Sequence, residues 1–396
     1  MKTLVINTGS SSIKFALFQM PSGQELASGL VEQIGEKLGK ITLNLTDEKY
    51  FESLTIPSHK EGLELVSDWL LNSKFNLISS VSEVASIGHR VVHGGEAFKE
   101  TTVINQEVKN KIKELFGLAP LHNPPNLEGI EVAETVFSEA IQVAVFDTAF
   151  HQSLPPRAFH YAIPNYLYDD YGIRVYGFHG TSHRFVARAS AEFLNIKPSA
   201  ANLITIHLGN GASMAAIKNG KSIDTTLGMT PLDGLVMGTR VGDLDPGVIF
   251  YLVEERGYSI EKVKTLLNKE SGMKGLAGEN DLRTVTERAE NGDEQSQLAL
   301  DIYCYRIKKY VGAYMAAIGP ISAIVFTAGV GENSAVVREL VCTEMDHLGI
   351  QLNKQKNRER TSDIRDVSEN GSPIRILITP TNEELEIANQ TYNLLK

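Results

Sequence analysis

The sequence predicts an α/β protein made of two similar domains, and three observations support this fold class. A strand, turn, strand pattern occurs twice: residues 4–17 read LVINTGSSSIKFAL, and residues 203–217 read LITIHLGNGASMAAI. Each copy is an apolar run, a glycine turn and a second apolar run, which is typical of a hairpin. Helical patterns and short apolar strands follow both copies. The 396 residues are also enough for two hydrophobic cores.

The first half of the chain predicts a sheet followed by helices. Further strands are predicted at residues 23–30, 40–45, 87–93 and 141–146. Helices are predicted at residues 60–71, 108–116 and 127–139. The prolines of APLHNPPN, residues 119–126, predict a rigid loop. The last strand ends at Asp147, so we place the end of the first domain at residue 148.

The second half repeats the alternation of strands and helices. Helices are predicted at residues 184–194, within 248–268, at 295–318 and over the C-terminal residues 381–396. Strands are predicted at residues 323–327 and 374–378. A glycine loop at 328–333 is predicted to open a helix, and the long loop 226–247 is a candidate for function. The second domain is therefore predicted at 149–380, with the C-terminal helix packed back on the first domain, residues 1–148.

Composition narrows the classes of function. The net charge of −10 argues against broad binding to nucleic acids or anionic membranes, so neither is predicted as a partner. Two cysteines provide no disulfide framework, which favours a reducing, cytoplasmic location with both thiols buried or inert. Residues 310–331 are uncharged, but Gly319 and Pro320 interrupt them, so we predict a buried helix end and a strand rather than a membrane span.

The two glycine turns are candidate phosphate sites. Gly9 allows unusual backbone angles, the serines after it offer hydroxyl and N–H groups, and Lys14 adds a cation. Asn7 and His207 occupy equivalent places, each ending a strand just before its turn. Taken alone, each turn is also compatible with an ordinary polar hairpin, and more so the second than the first.

The duplicated hairpin resembles the phosphate-binding loops of the superfamily that contains acetate and sugar kinases, Hsp70 and actin. NTGSSSIK at residues 7–14 and HLGNGAS at residues 207–213 resemble the two signature motifs of the acetokinase family. The resemblance extends from residue 7 to residue 383. It implies two ribonuclease H-like (actin/Hsp70-type) domains with a duplicated βββαβαβα core and an active-site cleft between them.

The same resemblance implies an activity. Members of this family transfer the γ-phosphoryl group of ATP to acetate, reversibly, directly and in line, and produce acetyl phosphate and ADP. The resemblance implies Mg²⁺ as the metal, with Mn²⁺ as a substitute, and ATP or ADP as co-substrate. It also implies a homodimer whose other partners are these small molecules.

A nucleotide site must use loops other than a P-loop, because no GxxxxGK[ST] sequence is present. Glycine turns and a helix N-terminus provide alternative phosphate sites. Combined with the resemblance, they predict nucleotide-binding residues: Lys14, His207, Leu208, Gly209, Asn210, Gly211, Asp281, Leu282, Arg283, Gly329, Val330, Gly331, Glu332 and Asn333.

Four residues are predicted to be catalytic. Arg90 and Arg240 are each ordinary ion-pair candidates when considered alone, but together they match the family's catalytic pair, whose planar donors can follow the charge of a phosphoryl group in transfer. His179, between glycines in GFHGTS, matches a phosphoryl-contacting position. Asp147 matches an acidic position that either positions Mg²⁺ and its neighbours or handles a proton. A zinc site is not favoured, because the histidine pairs lack the metalloprotease pattern.

The remaining predicted contacts are for the metal and for acetate. Asn7 and Glu383 match the magnesium ligands of the family. The predicted acetate site comprises Arg90, Val92, Leu121, Phe178 and Pro231. Two alternatives stay open: a propionate or butyrate kinase on the same framework, and an actin-like nucleotide switch, which would polymerise and have no need of Arg90.

Overall fold

The computed structural model describes residues Met1 to Lys396. The chain divides into two compact units, called here unit 1 (residues 1–150 and 382–396) and unit 2 (residues 151–381). Each unit contains one β-sheet together with helices.

Unit 1 is built on an eight-stranded sheet. Its strands are β1 Lys2–Thr8, β2 Ser12–Gln19, β3 Gln24–Glu32, β4 Gly39–Asn44, β5 Lys49–Leu54, β6 Val84–Val91, β7 Thr102–Val103 and β8 Ile141–Phe146. Its helices are α1 His59–Leu71, α2 Gln106–Glu114, α3 Asn123–Val136 and the C-terminal helix Glu383–Leu395. The strand order is β5-β4-β3-β2-β1-β6-β8-β7, and β1, β6 and β8 run parallel. The carboxyl ends of these three strands therefore meet at one edge.

The C-terminal helix packs on this sheet through small and branched side chains. Ile387 and Ala388 are buried in a core cluster that includes Val5 and Val145. Gly88 of β6 permits the approach, because a Cβ at that position would lie 2.7 Å from Cγ2 of Ile387. These contacts hold the C-terminal helix on the unit 1 sheet.

Unit 2 is built on a six-stranded sheet. Its strands are β9 Leu203–Leu208, β10 Ala212–Lys218, β11 Lys221–Thr225, β12 Ala323–Thr327, β13 Arg365–Asp366 and β14 Arg375–Ile378. Its helices are α4 Pro156–Phe159, α5 Tyr166–Asp169, α6 Gly180–Phe193, α7 Pro246–Glu254, α8 Ile260–Lys269, α9 Gly272–Ala277, α10 Leu282–Glu290, α11 Glu294–Ile318, α12 Ala328–Asn333, α13 Ala335–Cys342 and α14 Lys354–Arg358. The strand order is β11-β10-β9-β12-β14-β13, with β9, β12 and β14 parallel.

The two sheets share one topology. In unit 1 the run β3-β2-β1-β6-β8 has three antiparallel strands followed by two parallel ones, and the run β11-β10-β9-β12-β14 in unit 2 repeats it. The two hairpins, β1–β2 and β9–β10, occupy matching places, which is the duplication that the sequence predicts.

Three local predictions were wrong. Residues 119–126 are not all loop, because α3 begins at Asn123 with Pro124 and Pro125 in its first turn, where a missing N–H removes no helical hydrogen bond. Residues 328–333 are themselves the short helix α12 rather than a loop. The strand predicted at 87–93 is β6 at Val84–Val91, so Val92 lies beyond its end.

Some strands gave no clear signal in the sequence: β5, β7, β11 and β13. Most residues of β5, including Phe51, are exposed, so its sequence has no regular alternation of apolar and polar residues. The uncharged stretch that resembled a membrane span contains the end of α11 and the strand β12, and no helix of this chain has the length and apolarity needed to span a bilayer.

Candidate active site

Three polar side chains meet at the carboxyl edge of the unit 1 sheet. Asn7 lies near the end of β1, Arg90 near the end of β6, and Asp147 directly after β8. Arg90 donates to Asp147 through Nη2 at 2.6 Å and Nε at 3.0 Å, both to Oδ2, and its Nη1 donates to Asn7 Oδ1 at 3.4 Å. Parallel strands in register place all three there, as the rule for such sheet edges predicts.

Burial strengthens this ion pair. The Asp147 side chain is 1% exposed and that of Arg90 21%. Burial acts to lower the pKa of Arg90, but the negative charges of Asp147 and Glu383 outweigh it, and the net pKa is raised. Arg90 is thus a fixed cation whose guanidinium also touches the Asn7 amide.

Two carboxylates at the start of the C-terminal helix add negative charge to this edge. Desolvation, with the nearby Asp147 and Glu384 carboxylates, raises the pKa of Glu383, although Arg90 and Lys14 act against the rise. Lys14 forms an ion pair with Glu384, Nζ to Oε1, at 2.5 Å. Lys14 stands opposite Asn7 in the β1–β2 pairing. Asn7 and the nearby carboxylates provide hard oxygen donors, which is the donor type that Mg²⁺ prefers.

His179 and Arg240 lie beside the second glycine turn, in unit 2. A Cβ at Gly211 would lie 2.8 Å from Arg240 Nη2 and 3.4 Å from His179 Nε2, so only glycine leaves both groups in place. His179 caps α6 with a φ of 56°, a left-handed conformation that non-glycine residues rarely adopt and that is enriched at functional sites. Burial lowers the pKa of Arg240, whose Nη1 donates to Pro231 O at 2.5 Å.

The predicted acetate-site residues are divided between the units. In unit 1, Val92 is 7% exposed, whereas Leu121 is 71% exposed on the turn before α3. In unit 2, Phe178 is 2% exposed next to His179, and Pro231 binds Arg240 through its carbonyl oxygen. Val92 is two residues from Arg90 along the chain, and Pro231 is in direct contact with Arg240.

A cavity of about 900 Å³ in unit 2 collects most of the predicted nucleotide residues. Its lining includes Gly209, Asn210, Asp281, Leu282, Arg283, Gly329, Val330 and Asn333. Other predicted residues lie elsewhere: Lys14 belongs to unit 1, and Leu208 is fully buried at the end of β9. His207, Gly211, Gly331 and Glu332 do not line this cavity. The size is sufficient for a nucleotide, since ligand pockets commonly measure about 300–1,000 Å³.

Comparison with known proteins identifies the family. Residues 2–389 match the acetokinase family. The chain belongs to the acetokinase family. Acetate kinase of Flavobacterium johnsoniae is 52% identical over 396 residues, the full length of both chains. The crystal structure of Porphyromonas gingivalis acetate kinase is 44% identical with a TM-score of 0.95 and full coverage of both chains, and that of a propionate kinase from Francisella tularensis is 42% identical with a TM-score of 0.93 over 99% of each.

Membership of the acetokinase family confirms the predicted family, the two-domain actin/Hsp70-like fold class and an enzyme of the kinase class that acts on acetate. The roles of the individual residues stay predictions. The predicted catalytic residues form two clusters. One is the Arg90 cluster of unit 1, and the other is the His179 and Arg240 pair of unit 2.

The lining of the unit 2 cavity also contains residues that the sequence did not suggest. Arg338, 1% exposed, donates through Nε to Asn357 Oδ1 at 2.7 Å and through Nη1 to Gly331 O at 2.8 Å. Burial and the neighbouring Arg365 lower the pKa of Arg338 to about 10. Arg338 therefore ties α12 to the segment that contains Asn357. No motif marks these two residues, which are separated by 19 positions in sequence.

Filling the cavity at Gly329 should weaken nucleotide binding without unfolding the protein. A Cβ at Gly329 meets no atom within 4 Å, and its φ is not positive, so Gly329→Val extends into the cavity without strain. We expect KM for ATP to rise about tenfold or more, the loss of about 1.4 kcal/mol of binding, with an unchanged melting temperature. The measurement is steady-state kinetics with thermal denaturation.

Gly312→Val is the matched control, because Gly312 lies in α11, also has no atom within 4 Å of its built Cβ, and does not line the cavity. An equal rise in KM for both variants, or none for Gly329→Val, would remove α12 from the nucleotide site.

Proposed function

We propose that the chain catalyses the reversible, Mg²⁺-dependent transfer of the γ-phosphoryl group of ATP to acetate, directly and in line, and so forms acetyl phosphate and ADP. The proposal rests on how the polar groups are grouped. In unit 1, Arg90 is fixed in an acidic cluster. In unit 2, His179 and Arg240 lie beside a glycine turn, and Gly209 of that turn lines the large cavity.

The nucleotide is assigned to the cavity of unit 2. Gly209 and Asn210 at the hairpin turn and Gly329 in α12 expose backbone that phosphates can approach closely. Asp281 holds Arg283, Oδ2 to Nη2, at 2.6 Å, and the Arg283 side chain is 92% exposed along the cavity rim. This pair is suited to polar contacts with the nucleoside.

The metal is assigned to Asn7 and Glu383. No group of three or more His, Cys, Asp and Glu side chains in this chain is arranged to hold a metal ion. Mg²⁺ typically binds through one or two carboxylates together with substrate phosphates and water, and Mn²⁺ accepts the same oxygen donors. When bound, the metal would neutralise phosphate charge.

The arginines and His179 are assigned to the charge of the transition state. Phosphoryl transfer needs fixed donors where negative charge accumulates rather than a covalent group on the protein. Acetate is an anion at neutral pH and attacks without a general base. We therefore assign Asp147 to holding Arg90 through the paired hydrogen bonds to Nη2 and Nε.

The stereochemical course at phosphorus tests direct transfer. ATP made chiral at its γ-phosphorus with the three oxygen isotopes should give acetyl phosphate of inverted configuration, because a single in-line displacement inverts the centre. Retention would show an even number of displacements through a phosphorylated residue and would overturn this mechanism.

Acetate should be the best of the short carboxylates, propionate weaker and butyrate poor. The apolar residues assigned to the methyl group include the buried Val92, and each added methylene changes binding by about 1 kcal/mol, so the decline should be gradual. Val92→Ala should lower KM for propionate relative to acetate. Kinetics with the three acids measure this, and an unchanged KM ratio would place Val92 outside the pocket. Equal or better kcat/KM with butyrate would favour the longer-chain alternative instead.

We also propose a homodimer, which the family resemblance implies, and assign its contact to α7. This helix has the sequence PGVIFYLVE and contains no buried residue, and Val248, Phe250 and Tyr251 are exposed by 38%, 60% and 49%. A second copy that covers α7 would remove this apolar surface from water. Light scattering should therefore give twice the chain mass of 43.5 kDa.

Phe250→Glu with Tyr251→Glu should produce monomers, because two carboxylates would be buried at the contact. Phe51→Glu is the control, since Phe51 is an exposed aromatic residue of β5, 68% exposed and in unit 1. A monomeric wild type, or a dimer that tolerates the double substitution, would contradict the assignment to α7.

A cytoplasmic location is part of the proposal. Both cysteines, Cys304 and Cys342, are free and buried, and burial raises the pKa of each thiol to about 12. Such thiols fit a reducing compartment where ATP is supplied. Fractionation of the native cells would test it.

A further inference from the structure

A line of buried hydrogen bonds leads to His179 from the interior of unit 2. His179 Nδ1 lies 2.8 Å from Ser213 Oγ. The same hydroxyl oxygen lies 2.8 Å from His183 Nε2, and His183 Nδ1 lies 2.7 Å from Thr205 Oγ1. Thr205, His183 and Ser213 are all 0% exposed. Because water cannot reach these hydrogen bonds, each proton in the line must lie on an atom that has an acceptor facing it.

The elements that hold the line are rigid. His183 follows His179 by one turn of α6, and its N–H donates to the His179 carbonyl oxygen at 2.9 Å. Thr205 lies on β9 and Ser213 on β10. The two strands pair in a fixed register, in which Ala215 is opposite Thr205. The side chains are therefore fixed by the sheet and the helix.

Counting donors gives the direction of each hydrogen bond. Thr205 Oγ1 has His183 Nδ1 as its hydrogen-bond partner, and because a buried hydroxyl proton without an acceptor is unfavourable, Thr205 donates to that nitrogen. Burial, together with His151 and His207, lowers the pKa of His183 well below its usual value, so this ring is neutral. Its single proton is then on Nε2, from which it donates to Ser213.

Ser213 has one proton, and since it accepts from His183 it donates to His179 Nδ1. The proton of a neutral His179 is then on Nε2, the nitrogen that lies over Gly211 beside Arg240. We propose that Thr205, His183 and Ser213 are positioning residues that hold His179 as its neutral Nε2–H tautomer, ready to donate a hydrogen bond to the phosphoryl group in transfer. This inference rests on the proposed function for the role of His179, but its tautomer is a property of the protein itself.

Nitrogen NMR of the histidine rings tests the tautomer directly. In the full-length protein labelled with ¹⁵N in histidine and deuterated elsewhere, protonated and bare ring nitrogens have well-separated shifts. A His179→Gln variant identifies the signals of His179. We expect a protonated Nε2 and a bare Nδ1 at neutral pH. A protonated Nδ1, in either the neutral or the charged ring, would overturn the proposal.

Kinetics of two variants test the positioning role. Thr205→Val and Ser213→Ala each remove one hydroxyl from the line, and we expect kcat to fall about 10- to 100-fold, as when an outer partner that orients a functional imidazole is lost. KM for acetate and ATP should change less than about twofold, since ground-state contacts remain. In both variants the constraint on the His179 proton is released, so the NMR signals of His179 should show part of the population protonated at Nδ1. Ser213→Thr, which keeps the hydroxyl, should recover most of kcat.

A second buried hydroxyl pair provides matched controls. Ser190 on α6 and Thr379 bond each other, Oγ to Oγ1, at 2.8 Å, and both are 0% exposed. Ser190→Ala and Thr379→Val should leave kcat and the His179 signals unchanged. Equal losses in all four variants, or unchanged kcat and tautomer in Thr205→Val and Ser213→Ala, would overturn the positioning role. If a variant does not fold, the wild-type spectrum still tests the tautomer of His179. If the protein has no kinase activity, the spectrum still tests the tautomer, so failure of the proposed function is distinguished from failure of this inference.

Discussion

Arg240→Ala should lower kcat by about 10³-fold, which is the size of effect expected for an arginine that stabilises a phosphoryl group in transfer. Arg240 Nη1 is held by the Pro231 carbonyl oxygen, and Nη2 lies beside Gly211 and close to His179. Because the guanidinium is fixed before the reaction, its benefit is realised in the transition state more than in substrate binding. The measurement is kcat and KM for acetate and ATP, with circular dichroism to verify folding.

Arg240→Lys is the informative companion. Lysine keeps the positive charge but cannot reproduce two directed donors, one to Pro231 and one toward the reacting group, so little of kcat should return. A folded Arg240→Ala enzyme with kcat within about threefold of wild type would remove Arg240 from the mechanism, and full recovery by lysine would reduce its role to charge alone.

Arg90→Ala should lower both activity and stability. The loss in kcat/KM for acetate should again be about 10³-fold, because the variant lacks the cation next to Asn7 and Asp147. Stability should fall by about 3–5 kcal/mol, since removing one partner of a buried ion pair leaves the other without its counter-charge. Denaturant unfolding and steady-state kinetics measure the two effects separately.

Arg375→Ala is the control for stability. Arg375 pairs with Asp366 at 3.4 Å, Nη1 to Oδ2, but both side chains are substantially exposed, and such surface pairs contribute about 0–1 kcal/mol. An Arg90→Ala protein as stable as Arg375→Ala would show that the Asp147 pair contributes little to folding. Wild-type kcat/KM for acetate in Arg90→Ala would remove Arg90 from the mechanism.

The fold was predictable where apolar runs and glycine turns coincide. The hairpins at residues 4–17 and 203–217 are β1–β2 and β9–β10, and residues 323–327 form β12 with the predicted bounds. The secondary-structure predictions failed where proline or glycine is compatible with both a loop and a helix. Proline interrupts most helices but is accommodated in the first turn of α3, and the glycines of α12 occur in a helix directly after a strand.

The sequence suggested candidate site residues only where a motif marks them. Arg90, Asp147 and His179 follow from strand ends, a glycine-flanked turn and the family resemblance. The hydrogen-bond partners of these residues could not be predicted from the sequence, because they depend on tertiary structure. Asp147 is 57 positions from Arg90, and Ser213 is 34 positions from His179. Such contacts form only when strand register and helix packing are known.

Acyl phosphate and ADP measured together separate direct transfer to acetate from hydrolysis of ATP. Purified protein is supplied with Mg·ATP with and without acetate, acyl phosphate is trapped as hydroxamate, and ADP is measured in the same samples. We expect one ADP for each hydroxamate formed and almost no ADP when acetate is omitted, because transfer to acetate is direct. ADP produced at the same rate without acetate, with no hydroxamate in either sample, would contradict it and identify a nucleotide hydrolase or switch.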